Sequence, residues 1–259
     1  MIGLIHILPL YVLLTGTKQT DWIFFFCLLP IQGIGVGVAM HRYFAHRSFK
    51  TSRAFQFFLA LCAAATFGNP LAFAGKHRIH HAKADKDGDV HSPRSGFWAC
   101  WYGSLVTNGY SQEELLERVP DLVRFPELMF LHRNPRVVGI ALVCLAWFVG
   151  GVSTVAIGVC LGVVIMITNS GLVNYFCHVS GTRRFETDDY SRNNALVALL
   201  SFGEGWHNNH HYYPASARAG FYWWEIDVIY WIICVFESLG LVWDVRRPPA
   251  RAYASVPVK

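Results

Sequence analysis

The chain has 259 residues, of which 53% are hydrophobic, 15% aromatic and only 15% charged. Soluble domains average about 25% charged residues, so this composition, with a mean hydropathy of +0.31, points to a membrane protein or an unusually apolar soluble one. A net charge of +5 is too small to indicate a nucleic-acid partner, and the seven cysteines form no CxxC pair or other iron–sulfur pattern.

The first apolar run, residues 2–16, is short for a bilayer crossing, which takes about 17–25 residues. It lacks the basic start and small-residue cleavage site of a signal peptide. A polar hinge, residues 17–21, leads into residues 22–40, 19 residues without a charge. At ~1.5 Å per residue they reach about 28 Å, enough for the hydrocarbon core. The two runs form a predicted transmembrane hairpin that delivers His41 and His46 at the membrane exit. Residues 54–75 are apolar but interrupted by Asn69 and Pro70. A crossing there would put the flanking histidines on opposite sides, so the segment is expected to be an interfacial or cap helix.

The polar loop that follows carries Asp85, Asp87 and Asp89. Gly96 fills the position where a calcium loop needs its glutamate, so these acids are expected in a solvated turn or as orienters of histidine rings. Ser111 and Glu114 have the spacing of a helix capping box. Residues 137–150 and 155–173 make a second apolar hairpin that ends at Asn174 and His178. Residues 221–243 are apolar but contain Glu225, Asp227 and Glu237, costly against lipid, and are expected to form another interfacial or cap helix.

The predicted fold is therefore a single all-α integral-membrane domain over residues 1–259. Four transmembrane helices (about 2–16, 22–40, 137–150 and 155–173) stand in two hairpins under a helical cap. Both termini and every histidine window fall on one side. Of 22 Lys and Arg residues, only Lys18 lies in the opposite-side loops, so the positive-inside bias makes the histidine side cytoplasmic.

Three windows hold eight of the twelve histidines: HRYFAH at 41–46, HRIHH at 77–81 and GEGWHNNHHYYP at 203–214. Imidazole is the commonest metal ligand. On a helix, residues i and i+4 share a face and i+3 is offset, so each HxxHH triplet aims two rings one way and one another. That arrangement suits two adjacent metals. It groups His77 and His81 with His210, and His207 and His211 with His80. His41, His46 and His178 complete nine candidate ligands. Asp87, Asp89, His91 and Glu204 are candidates to orient the rings, whereas His6 and His132 read as non-ligands.

These motifs, with NYFCH at 174–178, resemble those of the integral-membrane fatty acid desaturases, most closely the stearoyl-CoA (delta-9) branch. The similarity runs from about Ile34 to Asp244, in the family's order. It includes DGDVHSPRSGFW at 87–98 and LGLVWD at 239–244. The resemblance implies two iron ions, one on His41, His46, His77, His81 and His210, the other on His80, His178, His207 and His211, with Asn174 acting through a water. It implies a cis double bond placed in a long-chain acyl group, carried as acyl-CoA or acyl-lipid, using O2. With no HPGG haem segment, the electrons are expected from a separate ferredoxin-like or cytochrome-like donor. The chain departs from animal members at Lys76, where they carry Asp, and at Gly171, where they carry Trp. The competing expectations are a hydroxylase on the same diiron scaffold and a membrane metal transporter; the transporter would place its ligands inside the spans.

Overall fold

The computed structural model describes residues 2–89, 92–103 and 109–253, and their regular secondary structure is almost wholly helical. Helix α1 covers Ile2–Thr15 and α2 Gln19–Ala45. Then come α3, Arg53–Ala64, and α4, Pro70–Lys83. Three further helices follow: α5, Gln112–Glu117, α6, Pro126–Arg133, and α7, Val137–Gly150. After these come α8, Val152–Val179, α9, Ala195–Leu200, α10, His207–Tyr212, and α11, Val228–Ser238, with a single turn at Ala250–Tyr253. A two-residue antiparallel ladder, Lys50–Thr51 against Val242–Trp243, clips the C-terminal segment to the turn after α2.

Among the described residues, α2 and α8 are long and apolar enough to cross a membrane. The pair α6 and α7, bent by 68° at its break, would make a third such element if counted as one span. Both long helices outrun the apolar stretches expected from hydropathy. Their last turns carry His41 and His178, which are buried in protein rather than turned to lipid. A hydropathy count cannot tell those two environments apart.

Local chemistry explains where the expected single segments break. The run at 54–75 is two helices: Asn69 caps α4 by accepting from Ala72 N at 3.2 Å, and Pro70 opens that helix. At 221–243 only α11 is regular, started by Asp227, which accepts from Tyr230 N at 2.9 Å. The acids Glu225 and Asp227 are buried acceptors of backbone N–H groups, not lipid-facing charges. The Ser111–Glu114 box is present at the start of α5, closed in both directions.

The largest apolar core joins the end of α2 to α3, α4, α6 and α11 through Phe44, Leu59, Leu71, Leu128 and Ile233. It forms a firm base for the histidine-bearing helix ends. Gly35 and Gly75 permit the closest approaches there. A methyl on Gly35 would meet Cys62 O, and one on Gly75 would lie 2.6 Å from Leu115 O.

Candidate metal centre

The first two ligand candidates sit where α2 changes its winding. From Ile34 to Ala45 the helix takes wider π turns, in which each N–H reaches the carbonyl five residues back. His46 N donates to His41 O at 3.2 Å, so the two imidazoles come to one side with ring centroids 5.0 Å apart. In an ordinary α-helix the five-residue spacing would have splayed them.

Helix α4 carries His77, His80 and His81, and the end of α8 carries His178. The third window depends on its glycines. Gly203 has φ +116°, and a methyl on it would strike Asp227; a methyl on Gly205 would strike the backbone of Ala198. Between them Glu204 is turned inward. The two asparagines of HNNHH then lock α10 in place. Asn208 accepts from Phe185 N at 2.8 Å, and Asn209 donates to Ala219 O at 2.8 Å and to Glu225 Oε2 at 3.1 Å.

The nine rings gather into two adjoining groups. One holds His41, His46, His77 and His210, the other His80, His178, His207 and His211. His81 joins the first group: its Nε2 lies 3.1 Å from that of His77 and 3.0 Å from that of His210. The groups touch through His81 and His211, whose ring centroids are 4.5 Å apart. Both triplets are divided as the helix-face reading divides them.

The arrangement fits metal ions on three counts. Nε2 atoms crowd nose to nose: His41 and His210 at 3.0 Å, His46 and His77 at 2.8 Å, His178 and His207 at 3.0 Å. Ligand nitrogens about 2.1 Å from one ion and at right angles lie about 3.0 Å apart. Secondly, His211 Nε2 is buried without a hydrogen-bond partner while its Nδ1 is bonded to Asp189 at 2.8 Å, which leaves a lone pair aimed into the group. Thirdly, burial and the neighbouring rings push His46, His81, His207 and His210 well below the usual imidazole range, and His211 to about 4. Neutral rings are the ligand form.

Carboxylates stand behind several rings, as in many histidine metal sites. Glu204 meets His41 Nδ1 at 2.5 Å, and Asp89 meets His80 Nδ1 at 2.9 Å. Asp85 meets His178 Nδ1 at 2.8 Å. Glu204 and Asp89 thus sit where the sequence placed orienting groups. Asp87 does not: it is exposed, and among the described residues no hydrogen bond joins it to a ring. The turn points Asp85 and Asp89 inward and Asp87 out, so Asp85 takes the role expected of Asp87. His91 lies outside the described residues. Sequence reasoning missed Asp189, which had no motif to mark it, and Arg42. The Arg42 guanidinium is fully buried, bonded to Glu204 at 2.9 Å and close to Asp227. Burial pushes the Glu204 carboxyl up, but Arg42 and His41 outweigh it and hold the group at about 2.

A cavity of about 880 Å³ runs along this centre and is lined by His41, His77, His207 and Asn174. Val36, Val163, Met166 and Ile167 form apolar walls beyond them, with Gly33 eight residues before His41 on the same helix. Polar walls come from Lys76, Gln112, His132 and Arg133, of which Gln112 and Arg133 are exposed. At Gly171 the Trp101 ring fills the space, since a methyl there would lie 2.7 Å from its Cγ. An indole therefore stands beside position 171 after all, contributed by a different segment and lining the cavity.

The family profile named Fatty acid desaturase matches residues 20–233. The chain belongs to the fatty acid desaturase family. It is 36% identical over 247 residues to Delta-9 acyl-lipid desaturase 2 of Arabidopsis thaliana, covering 94% of this chain and 80% of that protein. To the sn-1 stearoyl-lipid 9-desaturase of Anabaena variabilis it is 38% identical over 215 residues, covering 83% and 79%. To the Acyl-CoA C20 Delta5-desaturase of Anemone leveillei it is 36% identical over 251 residues, covering 95% and 80%. This desaturase is thus an oxidoreductase of the branch that includes the delta-9 enzymes, acting on an acyl substrate with O2.

Proposed function

We propose that this desaturase forms a cis double bond at the delta-9 position of a long-chain acyl group threaded through the cavity. The observation that carries the reading is that one largely apolar cavity is lined by rings of both histidine groups. His41, His46, His77, His81 and His210 would hold one iron; His80, His178, His207 and His211 the other, with Asn174 contributing through a water. Held there, two irons would supply the O2-dependent oxidation that takes one hydrogen from each of two adjacent methylenes, with two electrons from a separate donor and two protons completing the reduction of O2 to two waters.

The chain's own residues position the substrate. Apolar walls hold the tail and exclude water from the reacting carbons. The polar lining from Lys76, His132 and Arg133 suits the carrier, either a lipid headgroup or CoA. Relatives named for acyl-lipid and for acyl-CoA substrates fit both. The proposed architecture is a single domain with four crossings at about residues 2–16, 22–40, 137–150 and 155–173, with α3, α4 and α11 as interfacial or cap helices. A cytoplasmic centre and cytoplasmic termini are supported by the charge bias that leaves Lys18 alone opposite. An acidic ferredoxin-like or cytochrome-like donor would be steered by the basic face; its reduction rate should fall as salt rises.

The test is fatty-acid profiling with double-bond localisation in cells making the intact protein or His207→Ala. The expected product has lost two hydrogens at the delta-9 position and is absent with the variant. A product that gains oxygen instead would replace this reading with hydroxylation, and unchanged lipids alongside metal uptake would replace it with transport.

A further inference from the structure

The two histidine groups are built from like rings but differ in the charge behind them. Three carboxylates back the group of His80, His178, His207 and His211: Asp89 at 2.9 Å from His80, Asp85 at 2.8 Å from His178 and Asp189 at 2.8 Å from His211. Among the described residues one carboxylate backs the other group, Glu204 on His41 at 2.5 Å, and it is paired with the buried Arg42 guanidinium at 2.9 Å. No Lys or Arg of the described residues lies within ion-pair distance of Asp85 or Asp189. Their further partners are N–H and O–H groups: Tyr190 N on Asp85, and Ser191 N and the Thr187 hydroxyl on Asp189.

A carboxylate on Nδ1 makes Nε2 the stronger donor. An anion near a metal also favours the ion's higher charge state, the more so in a buried site of low dielectric. Glu204 does less of this, because Arg42 cancels much of its charge. The five-histidine group has one more ring, but a neutral ring adds a donor without adding charge. The uncompensated acids therefore decide the sign.

We infer that the two metal positions are electronically unequal: the four-histidine position holds the more readily oxidised iron and the five-histidine position the more readily reduced one. Asp85, Asp89 and Asp189 are the positioning residues that set the difference. The first electron from the donor then resides at the five-histidine position, beside His41, His46, His77, His81 and His210. This rests on the reading of both groups as iron sites.

The experiment uses full-length holoprotein loaded with 57Fe, poised at graded potentials and read by Mössbauer spectroscopy, with iron content measured first. Two quadrupole doublets that oxidise in separate steps are expected. Asp189→Asn should move the lower step up by about 59 mV, a roughly tenfold fall in the oxidised-to-reduced ratio at a fixed potential for one electron, and leave the upper step in place. Glu204→Gln should move the upper step only. If Asp189→Asn drops one iron, loss of the doublet that oxidises first supports the assignment, and Asp85→Asn repeats the test on another ring of the same group. A single shared step, or a lower step that follows Glu204→Gln, overturns the inference while leaving the diiron reading intact. Wild-type protein that holds fewer than two irons per chain overturns the diiron reading itself.

Discussion

Asp21 and the histidine centre are both polar, both buried, and lie toward opposite ends of α2. Asp21 is completely buried in the first turn of that helix. It accepts from Lys18 N at 2.8 Å, from the Ser153 hydroxyl at 3.1 Å and from the Thr154 hydroxyl at 2.6 Å, tying together the connections that enter α2 and α8. Each of these bonds runs from a donor to an acceptor, so Asp21 is satisfied by protein atoms alone. At the other end, imidazole nitrogens face one another at about 3 Å, and His211 Nε2 and His207 Nδ1 have no hydrogen-bond partner. Buried polar atoms are ordinarily satisfied. At Asp21 the network is architecture; at the histidine centre, facing ring nitrogens and the unpartnered His211 Nε2 leave room for a metal to complete it.

The sharpest way to break this contrast is at a ligand. His207→Ala should lower unsaturated product more than about a hundredfold and reduce bound iron, as read by lipid profiling and metal analysis. Unchanged iron would mean that His207 is no ligand. Next in size, chelation should destabilise the protein by about 2.7 kcal/mol relative to a metal concentration a hundredfold above Kd. The melting temperature would fall by several degrees, and an unchanged value would place the metal outside the folded core.

At the far corner the expected effect is structural. Asp21→Ala strips the acceptor from Ser153, Thr154 and Lys18 and should cost about 2–3 kcal/mol, seen as a lower melting temperature. Iron content per folded chain should not change; if it fell while stability held, the two ends would be coupled in a way the contrast denies.

The smallest effect concerns Asp121, which holds the helix of the HRIHH window from outside through Arg78 at 2.7 Å. Burial raises the Asp121 carboxyl, but its bonds to Arg78 and Arg47 reverse this and hold it at about 2, below the ordinary 3.8. A depressed folded value stabilises the protein above the unfolded value and loses that contribution as pH falls through about 2. Asp121→Asn should cost about 1 kcal/mol near neutral pH. Its melting temperature should converge with that of the parent at about pH 2.

Several of these features were legible without coordinates. The two HxxHH triplets divide between the groups as helix periodicity requires, because i, i+3 and i+4 geometry is local. Ser111 and Glu114 close their box for the same reason. Asn69 with Pro70 marked an interruption, although residues 54–75 read as a single helix and the structure ends α3 at Ala64 and opens α4 at Pro70. Hydropathy located the cores of α2 and α8 but stopped short of their ends, where polar residues enter protein instead of water. The pairing of His41 with His46 was not legible, since a five-residue spacing shares a face only when the helix widens into π turns.

The identity of the nine rings and their division by triplet were written in residue type and spacing, which the backbone period converts directly into direction. Which acid backs which ring was decided by the tertiary structure alone. Asp189 reaches His211 across 22 positions, and Asp85 reaches His178 across 93. Trp101 fills the space at Gly171 from another segment. Such pairings depend on how distant segments close around a common core, and no local pattern encodes that closure.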